Sequence, residues 1–328
     1  MANLTEFGND LYTGKRSIPF IAKRKLWYTI AIAVMAISIA IPLIGGGFNL
    51  GIEFRGGSQF QVTNVSDPDT APATEAVAEV VPEQVPRVTT VGDTGIRVQT
   101  EQLSDDETRE VAAALAESYG LTADDVASSF VGPSWGADIT GQAIRGLLVF
   151  LGLAAVAMAL YFRTWKMSVA AMVALLHDLV FTAGVYALAG FEVTPAAVIG
   201  FLTILGFSLY DTVVVFDKIR ENTAELAADS RATFSDTVNL AVNQTLVRSI
   251  NTGVVAALPV AAILFIGSFV LGADTLRDIS LALLVGIIAG TYSTIFVAAP
   301  LYSDMRRNEL GIKTRDERAL AAREVAAE

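Results

Sequence analysis

Apolar residues in this chain gather into long uninterrupted runs separated by short polar stretches. Six such runs, near residues 27–44, 142–162, 167–190, 194–217, 251–272 and 279–302, each reach the length a helix needs to cross the membrane interior. That length is about 20 residues for a hydrocarbon core of roughly 30 Å. Trp27 and Tyr28 open the first run, and Tyr161, Phe162 and Trp165 close the second, where amphipathic rings suit the headgroup level. The first run reads as a retained helix and not as a secretory leader, because it is long and no small-residue cleavage site follows before Gly45.

Between the first and second runs the pattern changes period. Ser58 to Val65 alternates apolar and polar residues as a strand does, and Thr70 to Val80 is Ala-rich and helix-like until Pro82 and Pro86 end it. Arg87–Val91 and Ile96–Thr100 flank a Gly92, Asp93, Thr94, Gly95 turn, which predicts a hairpin. Ser104 with Glu107 three residues on is a capping box for a helix to about Tyr119, stopped by Gly120. A strand over Val126–Val131 completes the order β-α-β-β-α-β, the split βαβ or ferredoxin-like arrangement. The predicted fold is therefore a polytopic α-helical membrane protein with six transmembrane helices and an inserted α+β domain. Residues 1–26 form a cytoplasmic leading segment, 27–44 the first spanning helix, 45–138 an exported domain, 139–302 the other five spanning helices and 303–328 a cytoplasmic tail.

Composition agrees, since 53% hydrophobic against 17% charged residues and a mean hydropathy of +0.51 exceed what a soluble chain of this size carries. With no cysteine there is neither a disulfide framework nor a thiolate metal site, and no metal or cofactor is expected. The net charge of −11 argues against a nucleic-acid partner. Charge is also unevenly placed. Lys15, Arg16, Lys23, Arg24 and Lys25, then Arg163 and Lys166, then Lys218, Arg220 and Arg231, and finally Arg306, Arg307, Lys313, Arg315, Arg318 and Arg323 all fall on one side of a six-span topology. The excess of basic residues in cytoplasmic loops makes that side cytoplasmic and puts both termini there, in the cell membrane. The opposite side carries residues 45–138, with sixteen acidic and four basic side chains, enough to account for the net charge of the whole chain.

Ionisable residues inside spanning helices cost at least about 2.5 kcal/mol each and mark functional sites or paired contacts. His177 and Asp178 lie about ten residues, or roughly 15 Å, into the third helix, near mid-membrane. Asp211 in the fourth helix and Arg248 at the start of the fifth reach a similar depth, because those helices run antiparallel. Two readings stand for that pair: a static ion pair that fixes packing, or a proton site whose affinity the arginine controls, since desolvation raises a carboxyl pKa and a guanidinium lowers it. His177 and Asp178 read first as a structural hydrogen bond and second as support for such a site. Gly45, Gly46, Gly47, Gly51, Gly56 and Gly57 cluster after the first helix, as a hinge or as a set of tight turns. Pro259 and Pro300 predict kinks. An enzyme is not expected. Tyr210 with Asp211 is similar to one motif of intramembrane aspartyl proteases, but the second motif, GxGD, is missing.

Four motifs together resemble the SecF family, the smaller membrane subunit of the SecDF complex of bacterial protein export. They are GIEFRGG at Gly51–Gly57, with Glu53 where the family usually has aspartate, and the His177–Asp178 pair. The other two are GFSLYDTVVVFDKIREN at Gly206–Asn222 and NQTLVRSINT at Asn243–Thr252. The resemblance implies half of an assembly of the resistance-nodulation-division superfamily, completed by a SecD partner. It further implies that protons pass by Asp211 and Arg248, and that the proton motive force helps complete export of a preprotein delivered by SecA through the SecYEG channel. A subunit that only stabilises SecD, or half of a small-molecule or lipid transporter, are the alternatives.

Overall fold

The computed structural model describes residues 4–92, 94–162, 164–224, 231–267 and 274–327. A short helix α1 (Leu4–Tyr12) precedes the first long one, α2 (Arg24–Ile44). There follow β1 (Asn49–Leu50), a single helical turn α3 (Ile52–Arg55), β2 (Gly57–Val62), α4 (Ala71–Val80), β3 (Arg87–Val91), β4 (Gly95–Thr100), α5 (Asp105–Ser118) and β5 (Val126–Val131). The long helices α6 (Pro133–Phe162), α7 (Trp165–Ala189), α8 (Pro195–Ala224), α9 (Phe234–Phe265) and α10 (Asp274–Ser293) come next, with β6 (Glu192–Val193) between α7 and α8. A π-helical stretch, Thr294–Ala298, carries α10 into α11 (Ala299–Arg306), and α12 (Leu310–Ala327) ends the described chain.

Among the described residues six helical stretches are long and apolar enough to cross a membrane: Arg24–Ile44, Ser134–Phe162, Trp165–Ala189, Pro195–Ala224, Phe234–Phe265 and Thr275–Arg306. The six-span pattern therefore holds, and two of the helices start ahead of their apolar runs. The helix that carries the second run starts at Pro133, ahead of residue 142, and a proline suits a first helical turn because the amide hydrogen it lacks would have no partner there. The fifth long helix starts at Phe234 instead of 251. Its start is a capping box in which the Thr233 hydroxyl accepts from the Asp236 amide at 3.2 Å and the Asp236 carboxylate accepts from the Thr233 amide at 3.0 Å. Arg248 thus lies well inside α9 and not just ahead of it. Asp93, Arg163 and residues 268–272, which entered the sequence reading, lie outside the described residues.

The inserted domain has the sheet order β3-β4-β2-β5 with every neighbour antiparallel, the order of a ferredoxin-like fold. Along β2, Phe60 and Val62 are fully buried and meet Ile96, Val98, Val77, Val111 and Leu115 beneath α4 and α5. Gln59 and Gln61 alternate onto the opposite face, as the two-residue strand period requires. In the predicted capping box, the Ser104 hydroxyl accepts from the Glu107 amide at 3.3 Å and the Glu107 carboxylate accepts from the Ser104 amide at 2.8 Å.

Among the long helices, half or more of each apolar window in α7, α8 and α10–α11 is buried, against 11% in α2 and α6, so the first three make the centre of the bundle. Close contact between α8 and α10 rests on small residues. Gly200 faces Ala282, Gly286 faces Ile204 and Gly290 faces Ser208, letting the two backbones approach. A link absent from the sequence reading joins the two parts of the molecule. β1 pairs in parallel with β6, Asn49 opposite Glu192 and Leu50 opposite Val193, tying the segment after α2 to the α7–α8 loop. The six clustered glycines divide accordingly. Gly45–Gly47 follow α2 in an exposed turn with positive φ at Gly46 and Gly47, Gly51 and Gly56 bracket α3, and Gly57 backs onto the Thr100 carbonyl.

Candidate functional site

The intramembrane ionisable residues are set by α7, α8 and α9, and three of the four are buried: His177, Asp178 and Asp211. Asp178 uses both carboxylate oxygens. One accepts from the Ser208 hydroxyl of α8, and the other lies 3.3 Å from Nδ1 of His177. The His177 ring then turns away toward Tyr292, with ring centres 6.0 Å apart. Ser208 thus joins His177 as a partner of Asp178. His177 Nε2 and the Tyr292 hydroxyl are each buried with no hydrogen-bond partner among the described residues.

One helical turn along α8 from Ser208, Asp211 accepts through Oδ1 from the Ser249 hydroxyl of α9 at 2.9 Å. Its second oxygen, Oδ2, is buried without a partner among the described residues. The next residue, Thr212, meets Thr294 hydroxyl to hydroxyl at 2.9 Å, and Thr294 opens the π-helical stretch. π-Helical turns are frequent at functional sites. A single turn of α8 therefore reaches α7 through Ser208, α9 through Asp211 and the α10–α11 junction through Thr212. Hydroxyls that both donate and accept surround the two carboxylates, an arrangement able to hold or pass a proton.

Asp211 and Arg248 are brought near one another along α8 and α9, because Ser249, which bonds Asp211, adjoins Arg248. The direct ion pair between them does not form: no such pair occurs among the described residues, and Arg248 is exposed. Successive helical residues project about 100° apart, so with Ser249 turned to α8 the Arg248 side chain projects to its flank. Ser208, Ser249, Thr212, Thr294 and Tyr292 were absent from the sequence reading. The available signal was position alone, since Ser208 precedes Asp211 by three residues on one helix face and Ser249 follows Arg248 directly. Asn243, in the same motif as Arg248, has a different task. Its side chain accepts from the Ile18 amide at 2.8 Å and donates to the Ile18 carbonyl at 3.0 Å, fastening the link between α1 and α2 onto α9.

A family model described as "Protein export membrane protein SecD/SecF, C-terminal" matches residues 110–308, and a second, "SecD/SecF GG Motif", matches residues 43–63. The chain is 43% identical over 323 residues to the protein translocase subunit SecF of Streptomyces coelicolor, covering 98% of this chain and 86% of that one. It is 40% identical to the SecF subunit of Mycobacterium tuberculosis strain H37Rv, covering 97% and 73% respectively. It is also 34% identical to the SecDF protein of Thermus thermophilus, over 84% of this chain and 37% of that longer one. Among solved structures, the crystal structure of Thermus SecDF, a translocon-associated membrane protein, superimposes with a TM-score of 0.78 at 30% identity. That match covers 89% of this chain and 39% of the other, so the chain spans about two fifths of the solved SecDF length. With six apolar spanning helices around a buried polar turn of α8, the chain is a multi-pass membrane protein that belongs to the SecD/SecF family of protein translocase subunits.

Proposed function

We propose that this chain is the SecF half of a SecDF complex in which SecD supplies the other half, and that the complex uses the proton motive force to help complete preprotein export begun by SecA and the SecYEG channel. In this reading the inserted domain lies on the exported side of the cell membrane and holds the emerging preprotein, while both termini are cytoplasmic. The distribution of basic residues supports that sidedness, and SecDF relatives carrying both halves in one chain support SecD as the partner.

The observation that carries the proton reading is the state of Asp211: buried, held by Ser249 through one oxygen, and left with the other oxygen unpartnered among the described residues. A carboxylate so placed stays ionised only opposite a positive charge and is otherwise neutral. Its charge therefore follows either proton uptake or the approach of Arg248. His177 and Asp178 support the site through Ser208. Moving one charge across 100 mV is worth about 2.3 kcal/mol, so a few protons per cycle suffice to invert a modestly biased two-state equilibrium. The bundle repacks as Asp211 is protonated, and residues 45–57 pass the movement to the inserted domain.

The test is completion of preprotein export into sealed vesicles carrying this chain with SecD, under an imposed proton gradient, with wild type compared to Asp211→Asn at equal amounts of assembled complex. Loss of the gradient-dependent gain in the variant is the expected result. Unchanged export would make the chain a structural subunit.

A further inference from the structure

A second polar cluster, separate from the intramembrane site, forms where the four-stranded sheet meets the α7–α8 loop. Arg97 on β4 is buried, yet its Nη1 lies 2.8 Å from Oε2 of Glu192 on β6, outside its own sheet. Gln99, on the same face of β4 two residues on, donates to Oε1 of Glu192 at 2.6 Å. The strand pairing beside them is reinforced by Asn49, whose side chain donates to the Gly190 carbonyl at 2.6 Å, and by the Gly51 amide, which donates to the Val193 carbonyl at 3.0 Å. Glu53, from the GIEFRGG motif on α3, comes in from the side. Its Oε2 is buried without a hydrogen-bond partner among the described residues. That oxygen and Oε1 of Glu192 both press on Gly51: a Cβ there would lie 3.2 Å from the Glu192 oxygen and closer still to that of Glu53. Asp278 of α10 closes the far side, accepting from the Thr194 hydroxyl at 2.9 Å and lying 3.4 Å from Arg277. Glu53, Arg97, Glu192, Thr194 and Asp278 line a cavity of about 590 Å³.

We propose that Arg97 and Glu192 are positioning residues that latch the inserted domain onto the α7–α8 loop, and that the charge on Glu53 sets how firmly the latch holds. This rests on the reading above, in which the domain moves during export. The Arg97 guanidinium pairs with Glu192, and its charge also acts on Glu53 and Asp278, with Arg277 beside the latter. While Glu53 is ionised it repels Glu192 across Gly51 and competes for Arg97. Once neutral it does neither, and the Arg97–Glu192 pair is relieved of that competition. Burial pushes the Glu53 carboxyl above its ordinary range, with the charges of Glu192 and Asp278 adding and its own backbone amide and Arg97 opposing. A raised value in the latched state means that latching takes up a proton. The latch therefore tightens as pH falls through the raised value and loosens above it.

The chain has no native cysteine, so a pair of spin labels at Glu117 on α5 and Leu188 at the end of α7 reports the pose of the domain in the full chain assembled with SecD. Wild type should show one dominant distance at the acid end of a pH series and a growing second population as pH rises. Arg97→Glu and Glu192→Arg should each deplete the dominant distance by about tenfold or more, the worth of a charge-assisted hydrogen bond, and the double swap should restore it. Glu53→Gln breaks no hydrogen bond made by the unpartnered oxygen, so it should fold normally and hold the dominant distance across the whole pH range. Distances indifferent to the single reversals, or a wild-type pH profile in Glu53→Gln, would overturn the latch. The measurement needs neither gradient nor preprotein. A latch that responds while Asp211→Asn leaves export unchanged would therefore sink the proton reading alone, and the converse would sink only the latch.

Discussion

At the scale of single residues, Asp178 and Asp211 differ in how completely they are satisfied. Asp178 has a partner at each oxygen, whereas Asp211 has Ser249 at one and none among the described residues at the other. Two substitutions should separate these roles. Asn at position 211 still accepts from Ser249, so Asp211→Asn should leave the thermal midpoint of the solubilised complex nearly unchanged while losing the gradient response. Ser249→Ala strips a buried carboxyl of its described donor, which costs about 1–3 kcal/mol, and should lower that midpoint by several degrees in a melting experiment. An unchanged midpoint in Ser249→Ala would mean that Asp211 draws its support from elsewhere. The carboxylates were legible in the sequence because an ionisable residue inside an apolar run is costly and conspicuous. Ser208 and Ser249 were not, because a serine satisfies itself on its own helix backbone and leaves no trace in the pattern. The outward turn of Arg248 was hidden for another reason: spacing along a helix fixes depth, but only packing fixes which way each residue faces.

At the scale of elements, α5 and the α8–α10 contact make opposite cases. Everything that starts α5 is local: Ser104, Glu107 and the bonds between them are given by three residues of spacing, and β5 was legible over its full length for the same reason. Ser104→Ala should cost about 1 kcal/mol of cap stability, read as about fivefold faster amide exchange in the first turns of α5. The Ser104 amide and hydroxyl hold the Glu107 carboxyl below its ordinary range. This contribution is present above the ordinary glutamate value and is lost as pH falls through the depressed one, so Glu107→Gln should flatten the acid limb of α5 protection once intrinsic exchange is corrected for. Contact between α8 and α10 depends on residues more than eighty positions apart, such as Ser208 and Gly290, where an added Cβ would lie 2.9 Å from the Ser208 Cβ. Gly290→Ala should displace Ser208 from Asp178 and destabilise the bundle by about 1–3 kcal/mol through overpacking, seen as a lowered melting midpoint. The β1–β6 pairing escaped sequence reasoning because two-residue strands carry no period to detect.

At the scale of the whole molecule, the bundle is finished on one side and open on another. α7, α8 and α10–α11 are packed to the degree expected of a bundle interior, but α9 has only 17% of its apolar window buried and carries the exposed Arg248 at the level of the buried Asp211. Tyr210, next to Asp211, is 56% exposed, and Ile250, next but one to Arg248, is 46% exposed. An arginine facing acyl chains at that depth costs at least about 2.5 kcal/mol, more than one cation–π or interface contact returns. If this chain works as proposed, paired with SecD, the open face around Tyr210, Arg248 and Ile250 is where the SecD half would cover it. A photoreactive side chain placed at Tyr210 or Ile250 should then capture SecD in the membrane. The same probe at Leu160 or Leu188, which are 73% and 70% exposed at the ends of α6 and α7, should capture lipid. Capture of lipid from Tyr210 and Ile250 would leave Arg248 without its neutralising surroundings, and with it the requirement that this chain work only as half of a pair.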